Sequence, residues 1–138
     1  MGAAAWVFIG AGLGAVFVLL ARRQGPAAAR RWLALGLVLA AGLYVLFAVL
    51  HGRPAWAGLE LAGTAGYGVL AWRGVVRGWP WLAAGWVLHP AWDAGLHLWG
   101  AGAAAAPQWY VTGCMGFDVA VAGAVAMDAA RARARAAA

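Results

Sequence analysis

The sequence predicts an all-α polytopic membrane bundle of five transmembrane helices, with the N-terminus outside and the C-terminus cytoplasmic. Three observations lead there. The chain is 66% hydrophobic and only 10% charged, with mean hydropathy +0.79, whereas a soluble domain carries about 25% charged residues. Its long apolar runs break only at arginine and proline clusters, and a run of about 20 residues crosses the hydrocarbon core. The arginines also alternate between connections. Arg22, Arg23, Arg30 and Arg31 fall in the first, Arg73 and Arg77 in the third, and Arg131, Arg133 and Arg135 in the tail. Only Arg53 falls in the second, and the fourth has none, which is the positive-inside pattern.

The expected spans run over about 3–21, 32–51, 55–72, 80–100 and 107–128, in one transmembrane domain covering 1–138 with a basic tail at 129–138. Span one has no positive segment ahead of it; its charges, Arg22 and Arg23, follow the apolar run. It therefore reads as a retained anchor and not a signal peptide. Between spans one and two, Gly25 and Pro26 break the chain. The connections around Arg53–Pro54 and Gly100 to Pro107 are short, so neighbouring helices should pack antiparallel. Tryptophans mark the borders where ring and headgroup meet. Trp6, Trp56, Trp99 and Trp109 sit at the outer ends, and Trp32, Trp72, Trp79 and Trp81 at the inner ends. Trp86 and Trp92 fit neither belt. The tail should be a frayed helical end held at anionic headgroups by its arginines.

Within the spans, small residues form stripes that let backbones approach: Gly10 and Gly14 in span one, and Gly58, Ala62 and Gly66 in span three. The same stripes could serve a homo-oligomer. GAGLGA at 10–15 is not a dinucleotide fingerprint, because its third glycine is one position early and no strand precedes it. The net charge of +6 is spread over the loops, which argues against a nucleic-acid partner. Cys114 is the single cysteine, so an internal disulfide and a cysteine-based zinc cage are excluded, and packing is its plain role.

Serine, asparagine and lysine are absent. Against that background His51, Glu60, His89, Asp93, His97 and Asp118 stand out, since an intramembrane charge costs about 2.5–3.5 kcal/mol on insertion scales. At 100° per residue His89, Asp93 and His97 lie within roughly an 80° stripe of span four, extended by Trp86. His89 and His97 are about 12 Å apart along the axis, so one ion could use His89 with Asp93, or Asp93 with His97, but not all three. Counting depth along the spans gives an outer cluster of Glu60, Asp93 and His97, with His51 just above it. A deeper pair, His89 and Asp118, lies below. Tyr67 shares a face with Glu60 and Thr64, Tyr44 with His51, and Cys114 with Asp118. Pro90 removes one helix hydrogen bond and should kink span four beside His89.

Packing alone explains some of this set. The His89–Asp118 pair can simply lock two helices, a contribution of about 0.6 kcal/mol, and His51 can lie among headgroups. For the rest, three chemistries are compatible. One is a divalent metal site (zinc, iron or manganese) with an open position for water, drawing on His89, Asp93, His97, Glu60 and Asp118. Another is metal-free acid/base work by Glu60, Asp93 and His97. The third is a proton or ion relay in a carrier or channel. Trp86, Trp92 and Tyr67 are the candidate contacts for a hydrophobic, lipid-like substrate. Serine-type hydrolysis is excluded. A structural or accessory role without chemistry, and hence whether this is an enzyme at all, stays open.

The patterns H-x-x-W-D-x-x-x-H (His89, Trp92, Asp93, His97), P-x-W-Y (Pro107 to Tyr110) and C-x-x-F-D (Cys114, Phe117, Asp118) resemble those of a family of small bacterial multi-pass membrane proteins of unassigned function. The likeness covers the last third of the chain. It implies a bacterial inner-membrane location with the lipid bilayer as surroundings, and carries no activity with it.

Overall fold

In a computed structural model of the chain, which describes residues 2–138, five α-helices follow one another: α1 Ala3–Arg23, α2 Pro26–Leu50, α3 Pro54–Arg77, α4 Trp79–Asp93 and α5 Gln108–Ala137. Prolines set several starts. Pro26 and Pro54 occupy the first turns of α2 and α3, and Pro80 that of α4, where a missing N–H leaves no helical carbonyl unpaired. Pro90 lies inside α4, and just beyond it the α-helical pattern gives way. Ala94–Leu98 form a π turn, closed by the bond from Trp99 N–H to the Ala94 carbonyl at 3.1 Å. A short 3-10 turn, Ala101–Ala104, then leads to α5.

Among the described residues, three helices, Ala3–Arg23, Pro26–Leu50 and Gln108–Ala137, are long and apolar enough to cross a membrane. This corrects the expected bundle of five transmembrane helices. The reason is local. α3 carries Glu60, Thr64, Tyr67 and five glycines among its 24 residues, which dilutes its apolar character. α4 ends after 15 residues at Asp93, too short for the about 20 that a crossing requires. Counting apolar runs weighs neither the glycines nor the π turn.

The hydrophobicity of the helices is nonetheless that of a membrane protein. Large apolar side chains point outward along the bundle, among them Phe8, Leu13, Leu19, Leu50 and Leu61, a surface that water would not tolerate over this extent. Inside, Leu33, Leu37, Leu82, Trp86, Val121 and Val125 are fully buried. Trp86 completes its burial by donating its indole N–H to the Leu33 carbonyl at 3.1 Å.

α1 and α5 run parallel and in close contact, with Trp6 beside Trp109 at one end and Arg22 paired with Asp128 at the other. Gly10 and Gly14 make that approach possible. A Cβ at Gly10 would overlap the Gly113 carbonyl, and one at Gly14 would stand 2.7 Å from the Phe117 carbonyl oxygen. The small-residue stripe of α3 behaves differently: Gly58, Ala62 and Gly66 are exposed, and Gly58 and Gly66 have nothing within 4 Å of an added Cβ. That stripe faces away from the other helices.

α2 packs on α3, and α4 lies between α3 and α5. The C-terminal half of α4, the π turn, the N-terminal parts of α3 and α5 and the C-terminal part of α2 therefore share one half of the bundle. The polar residues of the candidate site come from these segments.

Candidate functional site

The carboxyl and imidazole side chains buried in that half are Glu60, His89, Asp93, His97 and Asp118. The structure sorts them into two groups. In the deeper group His89 Nδ1 lies 2.7 Å from Asp118 Oδ2 and 3.8 Å from Asp93 Oδ2. Cys114, one turn before Asp118 on α5, brings its Sγ to 3.6 Å from Asp118 Oδ2 as a thiol donor. Ligand-type atoms of His89, Asp93, Cys114 and Asp118 all lie within 4.8 Å of one another, and all four residues are buried. Helical spacing explains the convergence, since His89 and Asp93 are i, i+4 on α4 and Cys114 and Asp118 are i, i+4 on α5. Two helices thus each present two donors to the same gap.

The second group is built on Glu60. Its Oε2 accepts the Trp92 indole N–H at 3.2 Å, and its Oε1 lies 3.1 Å from His97 Nε2. His97 Nδ1 is 3.2 Å from the Gly102 carbonyl; a carbonyl can only accept, so Nδ1 carries the hydrogen and Nε2 is the nitrogen turned to Glu60. Tyr44 from α2 stacks on the His97 ring, with centroids 4.3 Å apart and planes 11° from parallel. Tyr67 meets the edge of His89 at 4.9 Å and that of Trp92 at 6.3 Å, so it stands between the two groups.

The grouping differs from the one read by depth. Asp93 joins His89, Asp118 and Cys114, while Glu60 and His97 form a pair of their own. The π turn accounts for this. A turn closed by i→i+5 bonds holds more residues than an α turn, so His97 rotates off the α-helical stripe that Asp93 shares with His89. His51 joins neither group: it is exposed, and its Nδ1 lies 2.7 Å from the Phe47 carbonyl of its own helix. Trp86 packs in the core against Phe117, with centroids 5.9 Å apart. Two residues near the site carry no ligand or contact role in the sequence reading. Cys114 reads there as packing even though it shares a face with Asp118 one turn on. Tyr44 gave only a shared face with His51.

The donor set suits a divalent ion. Metal bonds of about 2.0–2.3 Å in a tetrahedron place donor atoms about 3.3–3.8 Å apart, close to the Cys114 Sγ–Asp118 Oδ2 separation of 3.6 Å, while His89 Nδ1 and Asp118 Oδ2, at 2.7 Å, form a hydrogen-bonded pair and leave Nε2 as the histidine's free nitrogen. Asp93 Oδ1 and Oδ2, Asp118 Oδ1 and His89 Nε2 are buried without a hydrogen-bond partner among the described residues. Such orphans are uncommon in native proteins and cluster at sites with a role to fill. Imidazole, carboxylate and thiol together fit zinc better than calcium or magnesium, which favour oxygen alone.

A cleft approaches the deeper group from the side. It encloses about 450 Å³ and is lined by Trp6, Gly10 and Phe17 of α1, Leu39 of α2, and Tyr110 and Cys114 of α5, among others. Its lining is almost wholly apolar, and Cys114 is the point where it meets the buried cluster. No curated protein and no solved structure matches the chain. Residues 4–131 match a family of unknown function, and the chain therefore belongs to the DUF6010 family.

Proposed function

We propose that the protein is a membrane-embedded metal site, holding zinc on His89, Asp93, Cys114 and Asp118 and working on a hydrophobic, lipid-like molecule. The observation that carries this reading is the convergence of four buried donor residues within 4.8 Å. Interhelical packing would need one polar pair, and here three of the four side chains leave oxygen or nitrogen atoms without a partner. A bound divalent ion supplies Lewis acidity and an activated water in such a setting.

The chain's own residues divide the remaining work. His89 and Asp118 fix each other across α4 and α5, so the histidine ring presents a set orientation. Asp93, whose two oxygens accept no hydrogen bond among the described residues, would complete the donor set for the ion. Glu60 and His97 lie one residue layer away, with Nε2 and Oε1 within proton-transfer reach. Trp92 holds the other Glu60 oxygen, and Tyr44 holds the His97 ring flat. The apolar cleft delivers an aliphatic molecule to Cys114 from the side that faces hydrocarbon; its volume lies in the range of about 300–1,000 Å³ common to ligand sites. We place the protein in the bacterial cytoplasmic membrane that the sequence resemblance implies.

Metal content tests the reading. Protein purified in mild detergent without chelator is expected to carry about one zinc per chain, and His89→Ala and Asp118→Asn are expected to lose it. Wild-type protein without stoichiometric zinc would remove the proposal.

A further inference from the structure

The opposite half of the bundle gathers most of the positive charge. The C-terminal ends of α1, α3 and α5 and the N-terminal ends of α2 and α4 meet there, so every arginine except Arg53 belongs to that half. A pocket of about 260 Å³ opens among them, lined by Arg22, Arg131, Arg135, Asp128 and Trp79, together with Pro26 and Ala29. Three guanidiniums face one carboxylate, leaving two positive charges uncompensated. Arg22 is already committed in part: Nε and Nη2 donate to Asp128 Oδ2 at 3.2 and 2.9 Å, and Nη2 to the Ala124 carbonyl at 3.1 Å. Arg131 Nη1 stands 3.6 Å from Asp128 Oδ1 and is 64% exposed; Arg135, one turn further on the same face, is exposed as well.

We propose that this pocket binds the phosphate of an anionic phospholipid headgroup. Charge complementarity comes first: Arg131 and Arg135 offer forked donors that match phosphate oxygens, and Arg22 can add Nη1. Helix geometry adds to it. α2 and α4 both begin at this pocket, and neither has a side-chain cap or an acidic residue in its first turn, so their N–H ends favour an anion. Position selects a lipid over a soluble ligand. The pocket lies at the ends of α1, α2 and α5, the helices long enough to cross a membrane. Trp32 and Trp72 are exposed at the same end, as at a headgroup layer. Basic pockets between membrane helices commonly hold anionic headgroups.

The test uses native mass spectrometry of the full chain in nonionic detergent, titrated with phosphatidic acid and with phosphatidylcholine. Phosphatidic acid is expected to bind at least about tenfold tighter, and Arg131→Ala and Arg135→Ala each to weaken it by about tenfold, the loss of one charge-assisted hydrogen bond. Arg133→Ala, which removes the same charge from another face of α5, is expected to change affinity by less than about twofold. All three side chains are exposed, so folding is not at stake. Equal binding of the two lipids, or equal losses for Arg131→Ala and Arg133→Ala, would overturn the site. Displacement of the lipid by inorganic phosphate at tenfold excess would overturn its assignment to a lipid.

Discussion

Gly14→Ala and Gly66→Ala are the same chemical change with opposite expected consequences. At Gly14 the new methyl stands 2.7 Å from the Phe117 carbonyl oxygen and 3.2 Å from Ala120 Cβ, where ordinary contact begins at 3.4 Å. Both neighbours are rigid, one of them backbone, so α1 and α5 must part by roughly 0.7 Å to admit it. A gap of about 0.5–1 Å forfeits a quarter to a half of each dispersion well along the interface. Overpacking of this kind costs about 1–3 kcal/mol. At Gly66 nothing lies within 4 Å, and alanine improves helix propensity by up to about 1 kcal/mol. Thermal unfolding in detergent, followed by circular dichroism, is expected to show a clear loss for Gly14→Ala and none for Gly66→Ala. Equal losses would refute the assignment of the α1 stripe to a tight interface and of the α3 stripe to the outer surface.

Further substitutions probe the polar groups one at a time. Glu60→Gln replaces the carboxyl group that meets His97 Nε2 and weakens the acceptor for Trp92; it is expected to destabilise the protein by about 1–3 kcal/mol while leaving metal content unchanged, as elemental analysis would report. Trp86→Phe deletes a buried hydrogen bond to the Leu33 carbonyl and is expected to cost about 0.5–1.5 kcal/mol without altering metal or ligand binding. A double-mutant cycle on Arg22 and Asp128, both part-exposed, is expected to give a coupling of about 1 kcal/mol or less that shrinks as salt is raised.

Membrane character was legible in composition and in the length of the apolar runs, because both reflect the cost of placing polar groups in hydrocarbon. The number of crossing helices was not. α3 reads as apolar until Glu60, Thr64 and its glycines are weighed together, and α4 reads as 21 residues until the π turn cuts it at Asp93. The residues of the candidate site were visible as rare ionisable groups in a chain without serine, asparagine or lysine, but their grouping was not. Periodicity at 100° per residue carries His97 round to Asp93 only if the helix stays α, and the change of hydrogen-bond pattern after Pro90 breaks that assumption. Cys114 shows how a lone residue misleads: alone it reads as filler, and its meaning comes from Asp118 one turn on and from α4 across the gap. Trp86, grouped with the histidines by its face, belongs to the core because Leu33 offers its carbonyl there.

X-ray absorption at the zinc edge tests the proposed centre most directly. If His89, Asp93, Cys114 and Asp118 share one ion, the spectrum should show a single sulfur neighbour at about 2.3 Å with nitrogen and oxygen neighbours at about 2.0–2.1 Å, and the sulfur shell should vanish in Cys114→Ser. A zinc shell made of oxygen alone in the wild-type protein, or a sulfur neighbour that survives Cys114→Ser, would contradict it.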